Sequence, residues 1–195
     1  MPNKIKRTQE VDVNSPHGRD LFQTPNYAVD LLIPFIPKTI RNIWECAAGE
    51  GKIVERLWEN GYDVLATDIR TNLEMVTPEN FLTSIKRIDV YLKPCAIITN
   101  PPFSLKKQFY ERCMEYQLPF ALLIPADYCG WIIDAIQNGA EKLIPTRRID
   151  YLPPSGLSGA SGHTANFHSL WLTKGFSFGK TETFVELTKE MKENI

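Results

Sequence analysis

Short apolar runs alternate along this chain with stretches in which apolar residues recur every three or four positions. The first pattern suits strands buried on both faces, and the second suits helices laid against them. Asn42-Ile43-Trp44-Glu45-Cys46, Tyr62 to Thr67, Cys95-Ala96-Ile97-Ile98-Thr99 and Pro119 to Ile124 read as strands. Tyr27, Val29, Leu31 and Leu32 predict a helix capped by Thr24 and opened by Pro25, ending before Pro34 or Pro37. Ile53, Val54, Leu57 and Trp58 predict a second, closed by Asn60-Gly61. Leu105, Phe109, Cys113 and Tyr116 mark a third, and another is expected near Trp131 to Gln137. Residues 71–94 are irregular apart from a weak segment at Ile85 to Tyr91.

Toward the C-terminus the pattern changes. Arg147 to Leu152 and Phe167 to Thr173 predict two strands paired antiparallel at a sheet edge, with the Gly- and Ser-rich linker 153–166 between them. Loops of that length usually carry function or disorder. Strand–helix alternation implies an α/β fold in a single domain, with a mostly parallel sheet, an antiparallel edge hairpin and helices on both faces. The expected boundaries are a disordered segment over 1–19, the domain over 20–180 and a helical tail over 181–195, with no separate target-recognition domain. Ligands of such sheets bind outside the carboxyl ends of the strands. Glu45, Asp68 and Asn100, each at a predicted strand end, should therefore meet on one rim.

Composition narrows the setting without naming a chemistry. The 195 residues are 43% hydrophobic and 23% charged, as in an ordinary globular domain. No apolar run reaches the length of a membrane span, and Met1 to Glu10 has no apolar signal core, so a cytoplasmic protein is expected. Cys46, Cys95, Cys113 and Cys129 are scattered without ligand spacing and read as reduced thiols, with no metal site. A net charge of −1 means that nucleic-acid contact would rest on local clusters: Lys106-Lys107, Arg147-Arg148, Lys86-Arg87 and the Lys4 to Arg7 stretch.

Two stretches carry the candidate chemistry. Asn100-Pro101-Pro102-Phe103 reads either as a turn after a strand or as a grip on a planar amine. In the second reading the Asn100 oxygen and the Pro101 carbonyl accept the two amine hydrogens, while the Phe103 ring stacks on the ring that bears the amine. Glu45-Cys46-Ala47-Ala48-Gly49-Glu50-Gly51 is a strand-to-helix turn of small residues opened by an acid. The acid repels a pyrophosphate and suits a ligand with an amino group and no phosphate, such as S-adenosylmethionine. Asp68 stands where ribose hydroxyls would be bound. As structure only, Glu45 is a surface acid and Asp68 a helix cap.

Together these motifs resemble the S-adenosylmethionine-dependent N6-adenine DNA methyltransferases, most closely small phage-type members with the gamma order of motifs. The resemblance covers about residues 20–173. It implies a Rossmann-like class I methyltransferase fold with a seven-stranded sheet, and adenine-specific DNA methylation in the cytoplasm, that of the host if phage-encoded. It also implies that Thr24 and Glu45 contact the methionine part of the cofactor, that Ala47, Gly49 and Gly51 bind the cofactor as well, and that Asp68 holds the ribose. Asn80-Phe81-Leu82 stands where the family has Asp-Phe; Asn80 would keep an acceptor for the cofactor's adenine and Phe81 would pack on its ring. Asn100, Pro101, Pro102 and Phe103 would be catalytic, with Phe103 and Phe167 on the flipped base; Phe167 also reads as an ordinary core residue. Rival readings are an RNA adenine methyltransferase, a protein glutamine methyltransferase or a non-catalytic partner subunit. DNA is the expected partner, with a homodimer or a specificity partner left open.

Overall fold

A computed structural model describes residues 20–84, 95–154, 163–164 and 166–193. The expected disordered segment 1–19, the weak segment at 85–91 and most of the 153–166 linker lie outside them. Among the described residues, eight strands form one sheet in the order β3-β2-β1-β4-β5-β9-β6-β10. They are β1 Asn42–Glu45, β2 Asp63–Asp68, β3 Thr77–Pro78, β4 Cys95–Thr99, β5 Phe120–Pro125, β6 Glu141–Pro145, β9 Ser169–Lys174 and β10 Glu182–Val185. β7 Asp150–Tyr151 and β8 His163–Thr164 pair separately as a small antiparallel ribbon. Within the large sheet only β9 runs against its neighbours.

Period-two burial divides the core into two layers. Ile43, Ala96, Ile98, Ala121 and Leu123 face one side, with α1 Asn26–Asp30 and α2 Lys52–Glu59 packed there. Trp44, Ile97, Phe120, Leu122 and Ile124 face the other, against α3 Lys106–Tyr116 and α4 Gly130–Gln137. β4 and β5 bury nearly every side chain because helices cover both faces, which is why they read as unbroken apolar runs. The bidentate pair from Arg56 to Asp30, at 2.6 and 2.9 Å, ties α2 to α1.

The expected topology needs several corrections. The sheet has eight strands rather than seven, and β6, β10 and β3, the last within the stretch 71–94 expected to be irregular, were not foreseen. Glu141-Lys142 opens β6 with charges, yet Lys142 is only 3% exposed and pairs with Glu182 on β10. The antiparallel strand is not at the edge: β9 lies between β5 and β6, and β10 forms the edge. Of the strand expected over 147–152, Asp150 and Tyr151 pair with β8 rather than β9, and Leu152 forms an isolated antiparallel bridge with Gln23. The expected helical tail begins with β10 and turns helical only at α5, Lys189–Glu193. Thr24 does not cap α1, since Pro25 occupies the cap position without a side-chain bond.

The order of strands fixes where a ligand can enter. From β1 the chain moves outward to β2 and β3, then returns to lay β4 on the other side of β1. This reversal opens a crevice above the carboxyl ends of β1 and β4. Glu45 ends β1, and Asn100 follows the last residue of β4.

Candidate active site

Glu45 is fully buried at the end of β1. Its Oε1 accepts the Ala47 N–H at 2.9 Å, while its Oε2 is buried with no partner among the described residues. Burial pushes its pKa up to about 8, and the neighbouring Asp68 charge adds to the rise. The Thr99 hydroxyl and the Ala47 N–H offset part of it, although Thr99 does not reach ordinary hydrogen-bond geometry. A buried carboxyl oxygen without a donor is costly in a folded protein and marks a place for one.

The turn that follows is held open by two glycines in left-handed conformations. Gly49 has φ +52° and Gly51 has φ +83°. A Cβ on Gly51 would lie 2.2 Å from the Met75 methyl, and one on Gly49 would lie 2.8 Å from Gln23 Oε1. Asp68 binds this turn directly, its Oδ2 accepting the Gly49 N–H at 2.9 Å and its Oδ1 accepting the Arg70 N–H at 2.8 Å. It is thus neither a helix cap nor a free acid; each oxygen keeps a second lone pair for a ligand. Ala47 lines the turn half-buried, and Thr24 is buried beside Gln23, the residue that reaches it.

At the end of β4, Asn100 Oδ1 is buried and has no partner among the described residues. The Pro102 carbonyl accepts the Leu105 N–H at 2.8 Å and is thereby committed to the turn. Phe103 is half-buried, edge-on to Phe167 at 5.5 Å and to Tyr151 at 5.7 Å. Phe167 therefore belongs to the wall beside the Asn-Pro-Pro turn. Tyr151 belongs there too and was missed; its hydroxyl bonds Ser169 Oγ at 2.8 Å. Five buried side-chain polar atoms lack a partner among the described residues, and three of them, on Glu45, Thr99 and Asn100, lie at this crevice.

Asn80 and Phe81 lie in different surroundings. Asn80 is half-buried and its Oδ1 accepts the Leu82 N–H at 3.0 Å, a local turn bond. Phe81 is not open to a ligand. It is 2% exposed and packs on Trp44, Phe109 and Tyr116 at 5.0, 4.9 and 5.7 Å. The ring belongs to the core, because the layer beneath β1 and β4 is built of aromatics that enclose it.

Burial raises the thiols of Cys46, Cys95, Cys113 and Cys129, so none is poised as a nucleophile. Among the described residues no three His, Cys, Asp or Glu side chains gather as a metal site. No described helix is long and apolar enough to cross a membrane.

No family model and no curated protein matches the sequence significantly. Solved structures do match the fold. The methyltransferase subunit of a type I restriction-modification system from Streptococcus thermophilus superposes with a TM-score of 0.60 at 11% identity, over 89% of this chain and 52% of that one. A modification subunit ascribed to a type I restriction enzyme from Vibrio vulnificus gives 0.53 at 13% identity, over 86% and 47%. The 23S rRNA methyltransferase ErmE gives 0.52 at 12% identity, over 88% and 74%. The chain thus spans about half the length of the two modification subunits. The chain shares its fold with these methyltransferases.

Proposed function

We propose that this chain is an S-adenosylmethionine-dependent methyltransferase that acts on the N6 amine of adenine in DNA. The observation that carries the reading is the pair of buried, unpartnered acceptors, Glu45 Oε2 and Asn100 Oδ1, on the ends of adjacent strands. Each asks for a different donor. A carboxyl, with the Asp68 carboxylate near it, suits the ammonium of the cofactor's methionine moiety. A neutral amide oxygen beside a proline turn suits an uncharged amine. The glycine turn lets the backbone approach the cofactor, Asp68 offers lone pairs to ribose hydroxyls, and Asn80 stands on the adenine side. When bound, the cofactor supplies an electrophilic methyl group.

The protein's part of the reaction is positioning and electrostatics. Asn100 Oδ1 and the Pro101 carbonyl take the two N6 hydrogens, which draws the amine's lone pair out of conjugation and onto nitrogen. Phe103 and Phe167, with Tyr151 behind them, hold the base by stacking. In duplex DNA the base must leave the helix to reach them. The exposed Arg147 and Arg148 follow β6, on the same rim as Asn100, and supply charge for a phosphate backbone.

An RNA adenine substrate is the second reading, favoured by the likeness to ErmE. Target choice falls to the 153–166 loop, to a second copy or to a partner, and a cytoplasmic location accompanies either substrate. Methyl incorporation from labelled cofactor into duplex DNA, single-stranded DNA, RNA and a glutamine-bearing protein separates the readings. N6-methyladenine in DNA is the expected product. Label only in RNA or only in protein would replace the substrate, and a wild type that fails to bind the cofactor would point to a non-catalytic subunit.

A further inference from the structure

The Asn-Pro-Pro turn has a mechanical weakness written into its sequence. Prolines have no N–H, so after Asn100 the first backbone donor able to anchor the turn is that of Phe103. Asp20 takes it: its Oδ1 accepts the Phe103 N–H at 2.8 Å and the Ser104 N–H at 3.5 Å, and its Oδ2 accepts the Ser104 hydroxyl at 2.7 Å. Asp20 is remote in sequence and on no helix or strand. Charge-assisted bonds of this kind are among the stronger ones a loop can make.

Three residues later the same segment binds the cofactor turn. Gln23 Oε1 accepts the Glu50 N–H at 3.0 Å, while its Nε2 donates to the Leu21 carbonyl at 2.7 Å and so fixes the amide. The Gln23 backbone exchanges two bonds with Leu152, at 2.8 and 2.9 Å, next to the Tyr151 ring that meets Phe103. One short run thus touches the catalytic turn, the cofactor turn and the aromatic wall.

We propose that Asp20 is a positioning residue for the catalytic turn, and that the strap from Asp20 to Gln23 sets the spacing between that turn and the cofactor turn. The inference rests on the methyl-transfer reading. Asp20 touches no reacting atom. It acts through Phe103, whose place fixes both the stacking ring and the aim of Asn100. Small displacements of a reacting group are costly in rate, up to about 100-fold for roughly 1 Å.

The test uses the full chain with Asp20→Ala, Asp20→Asn, Ser104→Ala and Gln23→Ala. Asp20→Ala should lower kcat by about 10- to 100-fold while the cofactor Kd, read by calorimetry, stays within about twofold. Asp20→Asn keeps an acceptor for the Phe103 N–H and should recover most of the rate; Ser104→Ala should lose little. Gln23→Ala should weaken cofactor binding instead. Hydrogen exchange should show faster exchange at Phe103 in Asp20→Ala, with α1 and α2 unchanged. A wild-type kcat in Asp20→Ala, or a parallel fall in Tm and cofactor affinity, would overturn the proposal. If the wild type methylates none of the substrates, it is the methyl-transfer reading that fails. The exchange at Phe103 then decides whether Asp20 holds the turn.

Discussion

Glu45 and Asn100 occupy equivalent places on neighbouring strands, both end in a buried oxygen without a partner, and yet they answer burial in opposite ways. Glu45 can shed its charge, and its raised pKa of about 8 shows that the ligand-free crevice favours the neutral acid. Asn100 has no such escape and keeps an acceptor of fixed strength at every pH. In the proposed reading, a site for a cation is built from a group that waits protonated and ionises when its partner arrives, and a site for a neutral amine from one that never titrates. Substitutions and pH should separate the two strand ends cleanly.

The largest effect is expected from Asn100→Ala. Removing one preorganised hydrogen-bonding group from a reacting centre typically costs about 100- to 1000-fold in rate. Methyl transfer should fall by that order, while calorimetric affinity for S-adenosylmethionine stays within about twofold, since Asn100 faces the amine rather than the cofactor. Loss of both together would erase the distinction between the strand ends.

Glu45→Gln should do the reverse. It removes the charge that meets the ammonium, and hydrogen bonds to charged groups are worth about 1.5–3 kcal/mol, so the Kd should rise by roughly 10- to 100-fold. The ligand-free variant should nevertheless be the more stable protein in alkali. The folded-state pKa lies above the unfolded value, so the wild type loses stability as pH rises between about 4.5 and 8. A glutamine has no proton to lose, and its advantage in Tm should grow across that window and then level off. Thermal melts of both proteins at pH 5, 7 and 9 read this directly; parallel curves would contradict the buried acid.

A gentler test leaves the sequence untouched. Below its pKa Glu45 must release a proton to receive an ammonium, so cofactor affinity should climb with pH from 6 toward 7.5, by at most about tenfold per unit. It should flatten near 8, where the ligand's own amine begins to lose its proton. Calorimetry in two buffers of different ionisation enthalpy should detect the released proton. Asn100→Ala should keep the slope and Glu45→Gln should abolish it.

How much of this was legible in the sequence divides along the sheet. β4 and β5 were readable because helices bury both faces and leave unbroken apolar runs, β1 and β2 were readable from shorter apolar stretches, and Glu45, Asp68 and Asn100 were picked out by where the strands stop. β6 and β10 were not, because each stabilises a charged residue by pairing across strands: Lys142 is buried only because Glu182 lies beside it, and neither reads as strand alone. Phe81 shows the opposite failure. Its neighbours in sequence suggest a ligand-facing aromatic, but Trp44, Phe109 and Tyr116, brought from three other places in the chain, claim the ring first. Asp20 and Gln23 were invisible for the same reason, their partners lying 83 and 27 residues away.

The smallest predicted effect lies farthest from the crevice. Arg147 and Arg148 follow β6, which is separated from β4 by β9 and β5, or about 14 Å of sheet at roughly 4.8 Å per strand. A polynucleotide whose base reaches Asn100 can lay its backbone over that distance, but exposed arginines at such a remove meet phosphate and not base. Arg147→Ala with Arg148→Ala should therefore leave kcat and cofactor affinity near wild type and raise KM for the polynucleotide by only a few-fold at low salt. The dependence of log KM on log salt should shallow by about 0.9 for each phosphate no longer neutralised on a duplex, and by about 0.7 on a single strand. The slope thus also reports which form of nucleic acid occupies the rim. An unchanged slope would move the backbone path to another part of the rim and leave the two strand ends as they are.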